Sequence, residues 1–318
     1  MIGIVGAGAF GTALAVALAR HTPVRLWARD TGVVRTIQAH RVSPRLPEIQ
    51  LPENVTVTAD LASLSKAKLI LLAIPTQTLR GFLDTQMGVP DTVPLVACCK
   101  GIELGTGQLP IEILSQYRPG SVLGILTGPS FAADIAMGLP TALTLACASD
   151  RSGEMLQAAL TTDTLRLYRT RDVTGAQLGG ALKNVMAIAC GAVMGAGLGE
   201  SARAALMTRG FAEMVRLAET RGARPETLAG LSGFGDLVLT CTSGQSRNYQ
   251  FGESLGRDAP FDPDITVEGA ATARAMAEEA RRTGVEMPVT QAVAAVVSGE
   301  LKILQAVDML LSRPLREE

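Results

Sequence analysis

The first twenty residues constrain the fold of this 318-residue chain more than any other segment. Ile2-Gly3-Ile4-Val5 is a short apolar run with strand character, and Gly6-Ala7-Gly8-Ala9-Phe10-Gly11 follows it directly with the spacing G-x-G-x-x-G. Helix-favouring small residues then run over Thr12–Arg20. In that context each glycine has a job. The first permits a tight turn, the second lets a pyrophosphate approach the backbone, and the third lets the helix close on the strand. Free N–H groups and the positive end of the helix dipole then face the phosphates. Gly6, Gly8, Ala9, Phe10 and Gly11 are therefore candidate dinucleotide-binding residues.

The second strand ends in Trp27-Ala28-Arg29-Asp30. An acid at this place accepts the ribose 2′-OH of NAD, whereas a nearby arginine accommodates the 2′-phosphate of NADP. Arg29 leans the reading toward NADP, but Asp30 has two readings, ribose contact or helix cap. NADP or NAD is the expected cofactor. FAD shares the fold, and this loop alone does not exclude it.

Short β-branched runs continue through the first half: Val24–Ala28, Val55–Thr58, Leu69–Ile74, Val93–Cys98, Val122–Leu126 and Ala142–Ala146. Helical patterns such as Thr76–Leu83, Leu109–Ser115 and Phe131–Met137 alternate with them. The alternation predicts a doubly wound, mostly parallel sheet of Rossmann type. Nearly continuous apolar strands fit a sheet covered on both faces. From Asp172 onward the pattern is helical: Thr174–Met194, Ser201–Thr220, Arg247–Gly256, Glu268–Thr283, Val289–Ser298 and Leu301–Leu311. The chain thus reads as α/β, with a dinucleotide-binding domain over 1–175 and an all-helical substrate-binding and catalytic domain over 176–318. Ser43–Pro52, with Pro44, Pro47 and Pro52, reads as a loop.

A formal net charge of −1 lacks the basic excess of a nucleic-acid binder. Cys98, Cys99, Cys147, Cys190 and Cys241 form no C-x-x-C pair or metal-ligand spacing, so reduced thiols and no metal are expected. No signal-peptide pattern precedes the first strand. Ala181–Leu198 is the nearest approach to a membrane span, but it carries Lys183 and Asn184. A cytoplasmic protein without a membrane span is expected, as a homodimer or a monomer.

Hydride transfer to a carbonyl needs a proton donor. The two histidines, His21 and His40, lie in the first segment at helix ends, where surface positions are expected. None of Tyr117, Tyr168 and Tyr249 has a lysine four residues later. Lysine is scarce: five of the 29 cationic side chains, against 24 arginines. Lys66, Lys68 and Lys302 have ordinary amphipathic surroundings. Lys183 lies among small residues in Gln177-Leu178-Gly179-Gly180-Ala181-Leu182-Lys183-Asn184, where another backbone or a ligand can approach. It reads either as an acid whose charged form is disfavoured by burial or as a snorkelling lysine. Lys100 follows a strand end, where open α/β sheets bind ligands, though a plain loop lysine fits as well. Gly128-Pro129-Ser130-Phe131-Ala132 sits at the next strand end, with Ser130 as substrate contact or helix cap. Ser246-Arg247-Asn248 opens a helix and offers a phosphate cradle or a solvated helix start.

Taken in order, GAGAFGTALA at Gly6, CKGIE at Cys99, GPSFA at Gly128, QLGGALKN at Gln177, ALMTRG at Ala205, GFGDLVLTCTS at Gly233, QSRN at Gln245 and VEG at Val267 resemble the blocks of the bacterial NAD(P)-dependent sn-glycerol-3-phosphate dehydrogenases. The resemblance spans nearly the whole chain. It implies an oxidoreductase that interconverts dihydroxyacetone phosphate and sn-glycerol 3-phosphate, a small-molecule phosphate substrate, and a supply line to glycerophospholipid synthesis. It implies Lys183 as the catalytic acid/base, with Asp236 orienting the amine. Lys100, Gly128, Ser130, Asn184, Thr240, Ser246, Arg247 and Asn248 would contact substrate or lie beside it. Ala9, Phe10, Arg29, Lys100, Ala132, Arg247, Thr266 and Glu268 would contact the cofactor. The family often has serine where this chain has Ala9, so one cofactor hydrogen bond fewer is expected. Competing readings are a β-hydroxyacid or ketopantoate-type reductase, whose carboxylate substrates lack phosphate, and a non-catalytic nicotinamide sensor. Ser246-Arg247-Asn248 argues against the first, and the retained Lys183, Asp236 and Arg247 against the second.

Overall fold

The computed structural model describes residues 1–85 and 88–312, and the chain divides into two compact units. The first comprises Met1–Lys100 and Leu109–Gln177; the second comprises Gly101–Gln108 and Leu178–Glu318.

Among the described residues ten strands lie in the first unit: β1 (Ile2–Val5), β2 (Val24–Trp27), β3 (Val42–Ser43), β4 (Leu46–Gln50), β5 (Val55–Thr58), β6 (Ile70–Leu72), β7 (Leu95–Ala97), β8 (Leu123–Thr127), β9 (Thr141–Cys147) and β10 (Leu165–Thr170). Eight form one sheet in the order β10-β9-β8-β7-β6-β1-β2-β5. Every neighbouring pair is parallel except β8 and β9, which run antiparallel. β1 is buried along its whole length because helices cover both faces. On one face Ile2, Ile4, Leu26, Leu71 and Val96 pack with Leu14 and Leu18 of α1 (Ala9–Ala19) and Ile37 of α2 (Thr31–His40). On the other, Val5, Ile70, Leu72 and Ala97 pack with Leu79 of α3 (Thr76–Asp84) and Ile113 of α4 (Pro110–Tyr117). Two further α-helices, α5 (Ala132–Met137) and α6 (Asp150–Leu160), lie in this unit.

The sequence reading differs from the structure at three places here. Ser43–Pro52 is not a bare loop: β3 and β4 pair antiparallel there as a separate ribbon. Its prolines are compatible with a two-stranded ribbon that has open edges. β10 lies in an alternating Leu165-Arg166-Leu167-Tyr168 stretch whose exposed partners masked its strand character. The helix α6 was likewise not anticipated.

From α7 (Val173–Gly195) onward the chain is helical: α8 (Glu200–Thr220), α9 (Pro225–Ala229), α10 (Asp236–Thr242), α11 (Arg247–Gly256), α12 (Glu268–Thr283), α13 (Pro288–Val297) and α14 (Ile303–Leu311). The boundary between the units falls within the first turns of α7. Gly101–Gln108 joins the second unit through Arg221, whose guanidinium donates twice to the Gly107 carbonyl at 3.3 Å. The α7 helix is long and apolar enough to cross a membrane, but 89% of that stretch is buried inside the protein. It is the core of the second unit.

Glycines set how closely α11 lies against α7. A Cβ on Gly191 would fall 2.0 Å from the Tyr249 carbonyl oxygen, and one on Gly195 would fall 2.2 Å from that of Glu253. Reciprocally, a Cβ on Gly252 would sit 2.0 Å from the Ile188 oxygen, and one on Gly256 would sit 2.2 Å from that of Ala192. The two helices therefore touch backbone to backbone through paired G-x-x-x-G stripes. This contact fixes the start of α11 beside the middle of α7, where Lys183 and Asn184 lie.

Replacing Gly252 by alanine forces these backbones apart. The expected cost is about 1–3 kcal/mol, typical of overpacking a close contact, read as a lowered midpoint in thermal unfolding. An unchanged midpoint would mean that α11 can shift freely.

Candidate active site

The first unit gathers one set of the predicted residues around the β1–α1 turn. β1 is the point where the strand order reverses, since the chain runs to β2 and β5 on one side and to β6 and beyond on the other. Such a switch point opens a crevice at the carboxyl ends of the strands. Gly6 has φ +108°, and a Cβ there would lie 2.5 Å from the Ala73 oxygen. A Cβ on Gly11 would lie 2.0 Å from the Gly6 oxygen. Protein packing thus demands both residues. Gly8 differs: a Cβ there meets no atom within 4 Å. It is the N-cap of α1, has ordinary extended backbone, and supplies no side chain to cap the helix. The residues fit a dinucleotide. Open space over the middle glycine and an uncapped helix start are what a pyrophosphate requires.

Lys100 comes to the same turn. Its Nζ donates to the Gly128 carbonyl at 2.9 Å and lies 5.9 Å from the centre of the Phe10 ring. Ser130 Oγ donates to the same Gly128 carbonyl at 3.3 Å. The helix-cap reading of Ser130 fails, because Phe131 occupies the N-cap of α5 and Ala132 is its first residue. Asp30 is resolved the other way. Its carboxylate accepts from the Gly32 and Val33 amides at 2.7 and 3.1 Å and caps α2. Arg29, next to it at the end of β2, is exposed. His21 and His40 are both exposed, and His21 faces Asp163 at 3.8 Å.

The second unit holds the other set. Lys183 lies in the middle of α7 and is 7% exposed, which removes the snorkelling reading. Its Nζ is 3.1 Å from Asp236 Oδ1 and donates to Thr240 Oγ1 at 2.7 Å. Thr240 in turn donates to Asp236 Oδ1 at 3.2 Å, closing a triangle. Asp236 is 1% exposed and opens α10, so it meets an amine rather than serving as a helix cap. Two backbone features bring it there. A π-helical turn over Leu231–Gly235 precedes α10 and re-aims the chain. Gly179, one turn before Lys183, lets that segment approach α7, for a Cβ on it would lie 2.6 Å from the Ser232 oxygen.

A second polar chain lies alongside. Asn248 Nδ2 donates to Asn184 Oδ1 at 2.9 Å, while Asn248 Oδ1 accepts from the Gly269 amide at 2.9 Å. Ser246 Oγ accepts from the Tyr249 amide at 3.2 Å and caps α11. Arg247 is the first residue of α11 and is exposed. Glu268 opens α12, and Thr266 is exposed just before it. Sequence reasoning missed Gly269, where a Cβ would fall 2.6 Å from the Asn184 oxygen and 2.7 Å from Asn248 Oδ1. The available signal was a glycine at the second position of a helix, where it serves no helical purpose.

All five cysteines are buried, and none is in a disulfide. Burial pushes the Cys98 and Cys241 thiols well up from the usual range, which keeps them protonated and inert. Among the described residues no cluster of side chains could hold a metal ion.

Two family models match the chain. One describes the N-terminus of NAD-dependent glycerol-3-phosphate dehydrogenase over residues 1–152, and the other its C-terminus over residues 172–308. A glycerol-3-phosphate dehydrogenase [NAD(P)+] from a Ruegeria species is 59% identical over 318 residues, spanning 100% of this chain and 99% of the relative. That of Cereibacter sphaeroides is 58% identical and spans 100% of both chains. The crystal structure of glycerol-3-phosphate dehydrogenase from Coxiella burnetii superposes with a TM-score of 0.92 at 36% identity, covering 98% of each chain. With both halves matched, the chain belongs to the NAD-dependent glycerol-3-phosphate dehydrogenase family.

Proposed function

We propose that the chain interconverts dihydroxyacetone phosphate and sn-glycerol 3-phosphate with NADPH or NADH, and that Lys183 is its acid/base. The observation that carries this reading is the buried Lys183–Asp236–Thr240 triangle. A bound nicotinamide supplies the hydride; the chain must supply the proton. Lys183 as an ammonium gives a proton to the carbonyl oxygen as negative charge grows there, and takes it back in the oxidative direction. Asp236 holds the amine in its charged form beforehand and fixes its position, with Thr240 bridging the pair. Asn184 and Asn248 hold each other through a hydrogen bond.

Ser246, Arg247 and Asn248 are assigned to the phosphate end of the substrate, because an exposed guanidinium at a helix start suits a dianion. Lys100, Gly128 and Ser130 are assigned to substrate contact from the first unit. Gly6, Gly8, Ala9, Phe10, Gly11, Arg29, Lys100 and Ala132 there, with Arg247, Thr266 and Glu268 of the second unit, are assigned to the cofactor. The exposed Arg29, beside an Asp30 carboxylate already engaged by two amides, favours a 2′-phosphate. Five buried thiols outside any disulfide support a cytoplasmic setting, and the proposed product suits glycerophospholipid synthesis.

Lys183→Ala is expected to lower kcat by about 10²–10⁴, the usual worth of a placed acid/base, with cofactor affinity by fluorescence titration nearly intact. Near-normal turnover would remove Lys183 from the chemistry. Arg29→Ala is expected to weaken NADPH far more than NADH; equal losses for both would take Arg29 off the 2′-phosphate. Glycerol 3-phosphate is expected to be oxidised and 3-hydroxyisobutyrate left untouched when absorbance of the reduced cofactor is followed. The reverse preference would favour the hydroxyacid reading.

A further inference from the structure

The chain leaves the first unit at Lys100 and re-enters it at Leu109, and the segment Gly101–Gln108 between them belongs to the second unit. That detour is a folded loop. The Glu103 amide closes its base by donating to the Gln108 carbonyl at 3.0 Å, and the Gly107 amide donates to the Glu103 carbonyl at 3.0 Å. Thr106 braces the interior: its hydroxyl donates to the Glu103 carboxylate at 2.5 Å and accepts from the Gln108 amide at 3.2 Å. Gly105 and Gly107 supply the left-handed turns, with φ +80° and +67°. A loop tied to itself in this way is compact and shifts as one piece.

Both ends of the loop are anchored in the first unit. At its exit the Leu109 amide donates to the Glu112 carboxylate at 2.7 Å, and the Ile111 amide donates to Gln177 Oε1 at 2.8 Å. At its entrance stands Lys100, whose amine meets the Gly128 carbonyl. Any shift of the loop is therefore passed through one peptide bond to a lysine assigned to the reaction.

Arg221 grips the loop from outside. It lies at the C-terminal end of α8, where the helix dipole favours a cation. Both terminal nitrogens of its guanidinium donate to the Gly107 carbonyl, and Nη2 also lies 3.4 Å from Glu279 Oε1 on α12. The two side chains are 18% and 14% exposed, so this is not a solvated surface pair. The planar fork holds a carbonyl and a carboxylate at once, which a lysine point charge does less well. Arg282, 70% exposed, meets the other oxygen of Glu279 at 2.8 Å.

We propose that Arg221, aimed by Glu279, is a positioning residue for Lys100. By holding the Gly107 limb of the loop, the clamp sets where the Lys100 amine stands when substrate arrives. The inference rests on the assignment of Lys100 to substrate contact made above. The test is a double-mutant cycle on kcat/KM for dihydroxyacetone phosphate, with a melting midpoint for each variant. Lys100→Ala is expected to lower kcat/KM about tenfold or more, the usual loss of a hydrogen bond from a charged group. Arg221→Met keeps the length and loses the donors. It is expected to lower kcat/KM about 10–100-fold in the parent, as for an ångström-scale misplacement, and to change almost nothing once residue 100 is alanine. Arg221→Lys is expected to recover part of the loss. Glu279→Gln is expected to give a smaller loss with the same dependence on Lys100, and it carries the cycle if Arg221→Met melts too low to assay. Arg282→Gln, which leaves the Arg221–Glu279 contact in place, is expected to turn over as the parent does. Losses that multiply in both backgrounds would make the clamp merely structural and overturn the proposal, as would parental kcat/KM in Arg221→Met. Normal turnover by Lys100→Ala would instead refute the assignment of Lys100, and the proposal with it.

Discussion

An ammonium and a carboxylate buried 3.1 Å apart govern the second unit, since neither is tolerable there without the other. Taking the two from water costs several kcal/mol each, and removing one partner from such a pair typically costs about 3–5 kcal/mol. The pair persists because Thr240 bridges it and because three stretches of backbone are held in fixed relation. Gly179 brings the π-helical turn against α7, that turn delivers Asp236, and the paired glycines of α7 and α11 bring Asn248 to Asn184. The small-residue content of α7 is thus an electrostatic requirement as much as a packing one: a Cβ in the wrong place would move an oxygen away from an amine.

The first unit solves a different problem by a related device. There the first helix keeps the amides of its opening turn without a side-chain cap. Gly6 and Gly11 are required by their own backbone neighbours, whereas Gly8 is required by none of them. The uncapped start of α1 is consistent with the same purpose, because a serine or aspartate cap would occupy the amides that a pyrophosphate needs. α2 shows the contrast: Asp30 caps it, and its carboxylate is occupied by two backbone amides.

Much of this was legible in the chain. Strong periodicity placed β1, β5, α11 and α12 to within a residue, because each has both a clear pattern and a clear stop signal. Elements with mixed exposure were lost: β10 alternates leucine with exposed charged and aromatic residues, and α9, α10 and the π turn are too short to show a period. The antiparallel pairing of β8 with β9 was equally invisible, since strand direction depends on how the short α5 returns the chain and not on the composition of either strand. At the site, the scarcity of lysine singled out Lys183 and Lys100, but the choice between acid and snorkelling side chain stayed open until burial was known.

By itself the sequence determined the alternation that builds a doubly wound sheet, the glycine turn that follows its first strand, the change to helices near residue 172, and the few cations available for chemistry. These are properties of near neighbours, set by side-chain periodicity and backbone freedom within a few residues. Only the tertiary structure decided that Asp236 faces Lys183 across 53 residues, that Asn248 braces Asn184, and that Asp30 caps a helix. Those outcomes depend on how closely separate helices approach, and that distance is fixed by carbonyl oxygens and missing Cβ atoms far apart in the chain.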